Sequence, residues 1–198
     1  MGEGRLRRME CLLLAALALT ASACGNSSAP LTAKSTATAI SAVAPDPCVA
    51  AGVTLYSMMH VSMEPTLEPG DQLMVGPAIG AVGEIVVFAP PPAYQVAAQN
   101  IPWIERAVGV GGDKVELKNG AVWVNGAELN EPYVYKSQTT EATTGQTVWQ
   151  VPTGYLYVLG DHREASQDSR SLGPIALASV LGQVTYRCLP AAKRGPIS

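Results

Sequence analysis

Short apolar runs with a period of two, each halted by glycine, proline or asparagine, dominate the chain from about residue 53 onward. The clearest is "KVELKNGAVWVNGAEL", Lys114 to Leu129, where two alternating runs flank Asn119-Gly120. Asn-Gly favours left-handed backbone at both turn positions, so this pattern predicts a tight antiparallel hairpin. A second Asn-Gly at 125–126 predicts another reversal soon after. "VTLYSMMHVSM" (Val53–Met63) alternates loosely and reads as a strand stopped by the bend before Pro65. "GEIVVFAPPP" is a short buried strand ended by prolines, and "YLYVLGD" is another halted by Gly160-Asp161. "SVLGQVTYRCL" makes the last strand, after a brief helical turn near 176–179. "KSQTTEATTGQT" is polar and reads as a mobile edge loop. The pattern predicts an all-β, mostly antiparallel domain with few short helices.

The first quarter of the chain is different in kind. Arg5, Arg7 and Arg8 precede an apolar stretch from Cys11 to Ala23. That stretch is short of the roughly 20 residues a membrane-crossing helix needs and fits a secretory signal. Its end, "LTASAC", resembles a bacterial lipoprotein box, with Ala21 where leucine is commoner, and implies lipid on Cys24. An ordinary cleaved signal or an uncut anchor are the alternatives. Residues 24–47, rich in Ser, Thr, Ala and Pro, have the composition of a disordered tether. The expected organisation is a signal peptide at 1–23, the tether at 24–47, a folded domain at 48–190 and a tail at 191–198.

Composition narrows the function classes. Charged residues are only 15% of 198 and the net charge is −3, with no long basic run, so no nucleic-acid partner is expected. The two histidines and four cysteines lack metal-ligand spacing, and no glycine loop is followed by the helix and lysine of a phosphate site, so neither metal nor cofactor is expected. With Cys11 in the signal and Cys24 lipidated, Cys48 and Cys188 remain. An exported protein lives where disulfides persist, so they form a bridge or stay as two buried thiols.

Four ordered stretches carry candidate chemistry: "SMEPTL" at Ser62, "GEIVVF" at Gly83, "ERAVGVGGDKVELKNG" at Glu105 and "GDHREASQDSR" at Gly160. In this order they resemble the bacterial type I signal peptidases, membrane-bound serine proteases, over roughly Met58 to Pro190. The resemblance implies a nucleophile at Ser62, whose own N–H would bind the oxyanion. It implies that Ser166 orients the general base, and that Met63 and Pro65 shape the bend and the cleft. Asp161, Arg163, Asp168 and Arg170 would pair beneath the site. The implied partners are exported preproteins bearing signal peptides, cut after small residues (Ala-X-Ala). The implied place is the outer face of the cytoplasmic membrane, held by lipid or an N-terminal anchor, as a monomer. Trp103 and Trp149 belong either to an apolar rim facing that membrane or to the core.

The pattern breaks at the base. The family's lysine stands just before the arginine of a run like "KRVIGLPGD", and here Glu105 holds that position. Lys114 and Lys118 fall in the hairpin and should point away from Ser62. A buried carboxyl can reach the range where it serves as a general base, but loss of such a base typically costs 10²–10⁴-fold. His60, two before Ser62 on an alternating strand, would share its face and could bind the oxyanion or replace the base. His162 replaces the usual asparagine. The expectations are a signal-peptidase-like serine endopeptidase or, because of Glu105, a relative that binds peptides without cutting them. A self-cleaving repressor-type domain fits poorly with the export signal.

Overall fold

The computed structural model describes residues 46–50, 52–94 and 101–197. The signal segment, nearly all of the tether and Cys24 lie outside the described residues. The first strands are β1 (Leu55–Ser57), β2 (Gln72–Gly76), β3 (Ile85–Phe88), β4 (Trp103–Val110), β5 (Lys114–Lys118) and β6 (Ala121–Val124). They are followed by β7 (Ala127–Glu128), β8 (Val148–Gln150), β9 (Tyr155–Leu159), β10 (Ile175–Ala176), β11 (Val180–Leu189) and β12 (Gly195–Pro196). One sheet has the order β1-β2-β11-β3-β4-β9-β10, with β12 on β11; the second has the order β7-β6-β5-β8. Every pairing is antiparallel. The fold is therefore all-β, with one short α-helix, α1 (Ser169–Leu172), among the described residues.

The hairpin β5–β6 turns at Asn119 (φ 54°) and Gly120 (φ 76°), both left-handed. A Cβ on Gly120 would meet Thr139 at 2.9 Å, so the polar segment packs here and only glycine fits. That segment, expected as a loose loop, is anchored: Thr140 is buried, its N–H donates to the Gly120 carbonyl and its hydroxyl meets Arg163. The last residues rejoin the sheet instead of trailing away, with Gly195–Pro196 on β11 and Ile197 against the core.

β3 is buried along its whole length because both faces are covered. Ile85 and Val87 join a core with Met58, Met63, Leu67 and Ile104, while Val86 and Phe88 join one with Ala107, Leu156 and Val158. A third core holds Val108, Tyr157 and Leu159 against Val115, Leu117, Val122 and Trp149, packing the second sheet on the first. Trp149 is thus a core residue. Cys48 and Cys188 form a disulfide, tying the start of the domain to β11 across 140 residues. Cross-linking so long a loop removes unfolded-state entropy worth on the order of 4–5 kcal/mol.

Candidate active site

The segment between β1 and β2 is a bend. Residues 60–66 run through bends and turns, and no strand continues from Ser57 to Met63. The expectation that His60 and Ser62 share a strand face is therefore corrected. Proline at 65 and 69 and glycine at 70 leave no room for a ladder, and three apolar side chains (Met58, Met63, Leu67) plunge into the core instead. Met58 closes the bend by donating to the Asp71 carbonyl and accepting from Gly70, each at 2.9 Å. The Asp71 carboxylate accepts from Glu68 N–H and from Arg187, whose guanidinium also meets the Thr66 carbonyl. The Glu64–Pro65 peptide is cis.

This rigid bend presents Ser62, which is 7% exposed. Its carbonyl accepts from His162 N–H at 2.9 Å, so the 160–170 loop lies directly against it. Gly160 makes that approach possible. A Cβ there would sit 2.4 Å from Ser166 Cβ and 2.6 Å from the Ser62 carbonyl oxygen. No other residue fits between the two serines.

Glu105 completes the cluster. It lies on β4 opposite Val86, 3% exposed, and lines the same cavity as Ser62. Burial pushes its carboxyl well above the ordinary range, and the negative charge of Asp168 and, less strongly, Asp161 pushes it further. The hydroxyls of Ser62 and Ser166 offset part of that rise. They do not complete its coordination. Among the described residues Glu105 Oε2 and Ser166 Oγ are both buried without a hydrogen-bond partner, so the Ser166 hydroxyl acts on Glu105 by proximity and not through a bond of ordinary geometry. Ser62 N–H also donates to no group among the described residues, which leaves it available to a ligand oxygen.

Beneath the site the charged residues pair, though only partly with one another. Arg170 holds the Asp168 carboxylate with two bonds of 2.8 Å, and Asp168 also caps α1. Asp161 instead takes a two-pronged contact from Arg106, at 2.9 and 2.8 Å, plus the Thr66 hydroxyl. Arg163 turns to Glu131, Thr140 and the Gly160 carbonyl. Arg106, Glu131 and Thr66 are partners that sequence reasoning missed. Arg106 stood beside Glu105 in "ERAV" and Glu131 in "LNEPYV", so the signal was a charged residue inside an apolar or proline-bound run.

The cavity has a volume of about 470 Å³. Met58, Met59, Val61, Trp103 and Ile104 supply its apolar walls, and His60 and Gln167 stand at its polar edge. Met63 and Pro65 do not line it: Met63 is fully buried and Pro65 is exposed, so both serve the bend, not the cleft. Among the described residues no lysine or arginine lines it. Lys114 pairs with Glu116 at 3.0 Å and Lys118 lies over the Trp123 ring, both in the second sheet. His162 stacks on Tyr135 and sits 3.3 Å from the Val61 carbonyl and 3.6 Å from the Glu64 carboxylate, behind the bend. Among the described residues no group of three or more His, Cys, Asp or Glu side chains is placed to hold a metal.

A serine hydroxyl and a buried carboxyl at the wall of an apolar cleft, with a second serine packed close to both, are the parts of a hydrolase centre, and the chain has known relatives. Residues 32–189 match the family described as "Signal peptidase, peptidase S26". The chain is 35% identical over 157 residues to signal peptidase IB of Staphylococcus aureus (strain COL), covering 70% of this chain and 78% of that one. It is 33% identical over 165 residues to signal peptidase I of Bacillus caldolyticus, covering 72% and 86%. A solved signal peptidase I from Enterococcus faecalis V583 is 30% identical with a TM-score of 0.42, covering 56% of this chain and all of that one. The chain belongs to the S26 signal peptidase family.

Proposed function

We propose, from that membership and from the site, that the protein is a serine endopeptidase that removes signal peptides after Ala-X-Ala-type sites. Ser62 is the nucleophile, Glu105 is the general base in the position of the family's lysine, and Ser166 orients it. The observation that carries the reading is the meeting of Ser62 and Glu105 at one cleft, with Ser166 packed close to both. Ser62 Oγ attacks the scissile carbonyl carbon while its proton passes to the ionised Glu105 carboxylate. The electron pair displaced onto the carbonyl oxygen faces the Ser62 N–H. Glu105 then returns the proton to the leaving amine as the C–N bond breaks, and water, deprotonated by the same carboxylate, hydrolyses the ester on Ser62.

Only ionised Glu105 accepts a proton, and its carboxyl holds its proton above the ordinary range. Cleavage therefore rises with pH through that raised range. The disulfide and the apolar segment before residue 24 support an extracytoplasmic place at the membrane, tethered through Cys24. Among the described residues no helix is long and apolar enough to cross a membrane.

A second reading, a module that binds peptides without cutting them, draws on one observation. A carboxylate beside the nascent oxyanion opposes the charge developing there. The test is full-length protein in detergent with a fluorogenic Ala-X-Ala peptide. Ser62→Ala is expected to lower kcat/KM by at least about 10³-fold, and Glu105→Gln by about 10²–10⁴-fold. Wild type no faster than Ser62→Ala, with cleavage appearing only in Glu105→Lys, would establish the binding module instead.

A further inference from the structure

Each buried arginine near the site has its own carboxylate, and among the described residues Glu105 has no cation. The groups facing it can be taken element by element. From the 160–170 loop come Asp161 and Asp168, both negative, and Arg170, whose guanidinium is committed to Asp168 and to the Arg163 carbonyl. Its strand neighbour Arg106 is committed to Asp161. β3 offers apolar Val86, and the bend offers the Ser62 hydroxyl, with His60 further along the cavity edge. Glu105 Oε2 and Ser166 Oγ, both buried, lack partners.

A carboxyl buried without a cation costs several kcal/mol if ionised, unless a charge-assisted partner arrives. Here the way to it runs through an apolar trough walled by Met58, Met59, Trp103 and Ile104. That shape is complementary to an alkylammonium. The methylene stem lies on the apolar walls and the head meets the carboxylate.

We infer that the cleft selects polypeptides carrying a lysine within two residues of the bond to be cut, and that the lysine ammonium pairs with Glu105. The location of that bond rests on the proposed function; the cation site does not. Where Glu105 is protonated, pairing exchanges one proton: the carboxylic acid releases it to solvent and the ammonium keeps its own. The substrate then ionises the carboxylate that must accept the Ser62 proton.

The experiment uses full-length protein in detergent and peptides around an Ala-X-Ala site, with lysine or its uncharged near-isostere norleucine in turn at X and at the first and second positions after the cut. Binding is measured on Ser62→Ala and cleavage on wild type. At one position lysine is expected to bind at least about tenfold tighter than norleucine, with release of a proton in buffers of different ionisation enthalpy. Adding Glu105→Gln is expected to erase that preference. Equal affinity for both peptides at every position overturns the inference, and this arm needs no change at Glu105. So does a lysine preference that survives Glu105→Gln. Cleavage of every peptide without lysine preference keeps the hydrolase and removes the cation site. Glu105-dependent lysine binding with no cleavage keeps the cation site and removes the hydrolase.

Discussion

Glu105 and Arg106 are consecutive on β4, each 3% exposed, and their side chains leave opposite faces of the sheet. On Arg106's side, the charge is answered. Its guanidinium grips Asp161, donates to the Gly83 carbonyl and lies over the Tyr133 ring. On Glu105's side, two buried oxygens face each other's neighbourhood without a bond. The same burial therefore has opposite meanings one residue apart. Where a charge is matched, burial builds a rigid floor; where it is unmatched, burial stores basicity and leaves room for a ligand. A fold that pairs Arg106, Arg163 and Arg170 so fully has the means to pair Glu105, and it does not.

The largest effect expected from this contrast is on the matched side. Arg106→Ala leaves the wholly buried Asp161 carboxylate with the Thr66 hydroxyl alone. Removing one partner of a buried pair costs about 3–5 kcal/mol. Urea denaturation of the oxidised protein checks this, and a loss under about 1 kcal/mol would break the comparison, because the pair would then behave like a surface one.

The contrast also explains what the sequence could tell. The Asn119-Gly120 and Asn125-Gly126 reversals are local and were legible, since two residues decide each turn. The fold class followed from the same period-two runs. The stretch 58–63 was misread as strand because Met59, Val61 and Met63 alternate, whereas Met58 and Met63 turn into the core and Met59 and Val61 are exposed. The Arg106–Asp161 contact joins residues 55 apart in sequence and depends on β4 meeting β9, so no local pattern announces it. Arg163 and Asp161 were expected to meet in the group beneath the site, and the carboxylates of Glu131 and the guanidinium of Arg106 took those places. Ser62, Glu105 and Ser166 were named through a resemblance. What no string carries is the missing Cβ of Gly160 that lets the two serines close up.

On the unmatched side the expected effect is smaller and has the opposite sign. The folded carboxyl of Glu105 holds its proton above the ordinary value of 4.5. Between that value and the raised one the native state keeps a proton that the unfolded chain has lost, so stability falls as pH rises. The slope reaches at most about 1.4 kcal/mol per pH unit. Glu105→Gln removes this titration while preserving shape. The two proteins are expected to agree in stability below pH 4.5 and to diverge above it, the variant being the more stable. Denaturation midpoints across a pH series measure the difference. Parallel curves would place a hidden cation beside Glu105 and bring it level with Arg106.

The smallest effect calibrates the other two. Lys114 and Glu116 form an ion pair of 3.0 Å on β5, close to the 2.8 Å of Arg106–Asp161 and Arg170–Asp168, but their side chains are 49% and 26% exposed. Water already solvates both ends, so joining them gains little and holding a long side chain still loses entropy. Lys114→Ala is expected to shift stability by less than about 0.5 kcal/mol and to leave cleavage unchanged, since the pair lies in the second sheet away from Ser62. The measurement is the same urea series, repeated at high salt, where an exposed pair weakens and a buried one barely responds. If Lys114→Ala cost as much as Arg106→Ala, distance alone would govern these charges. Burial would then explain neither the firmness of Arg106 nor the basicity of Glu105.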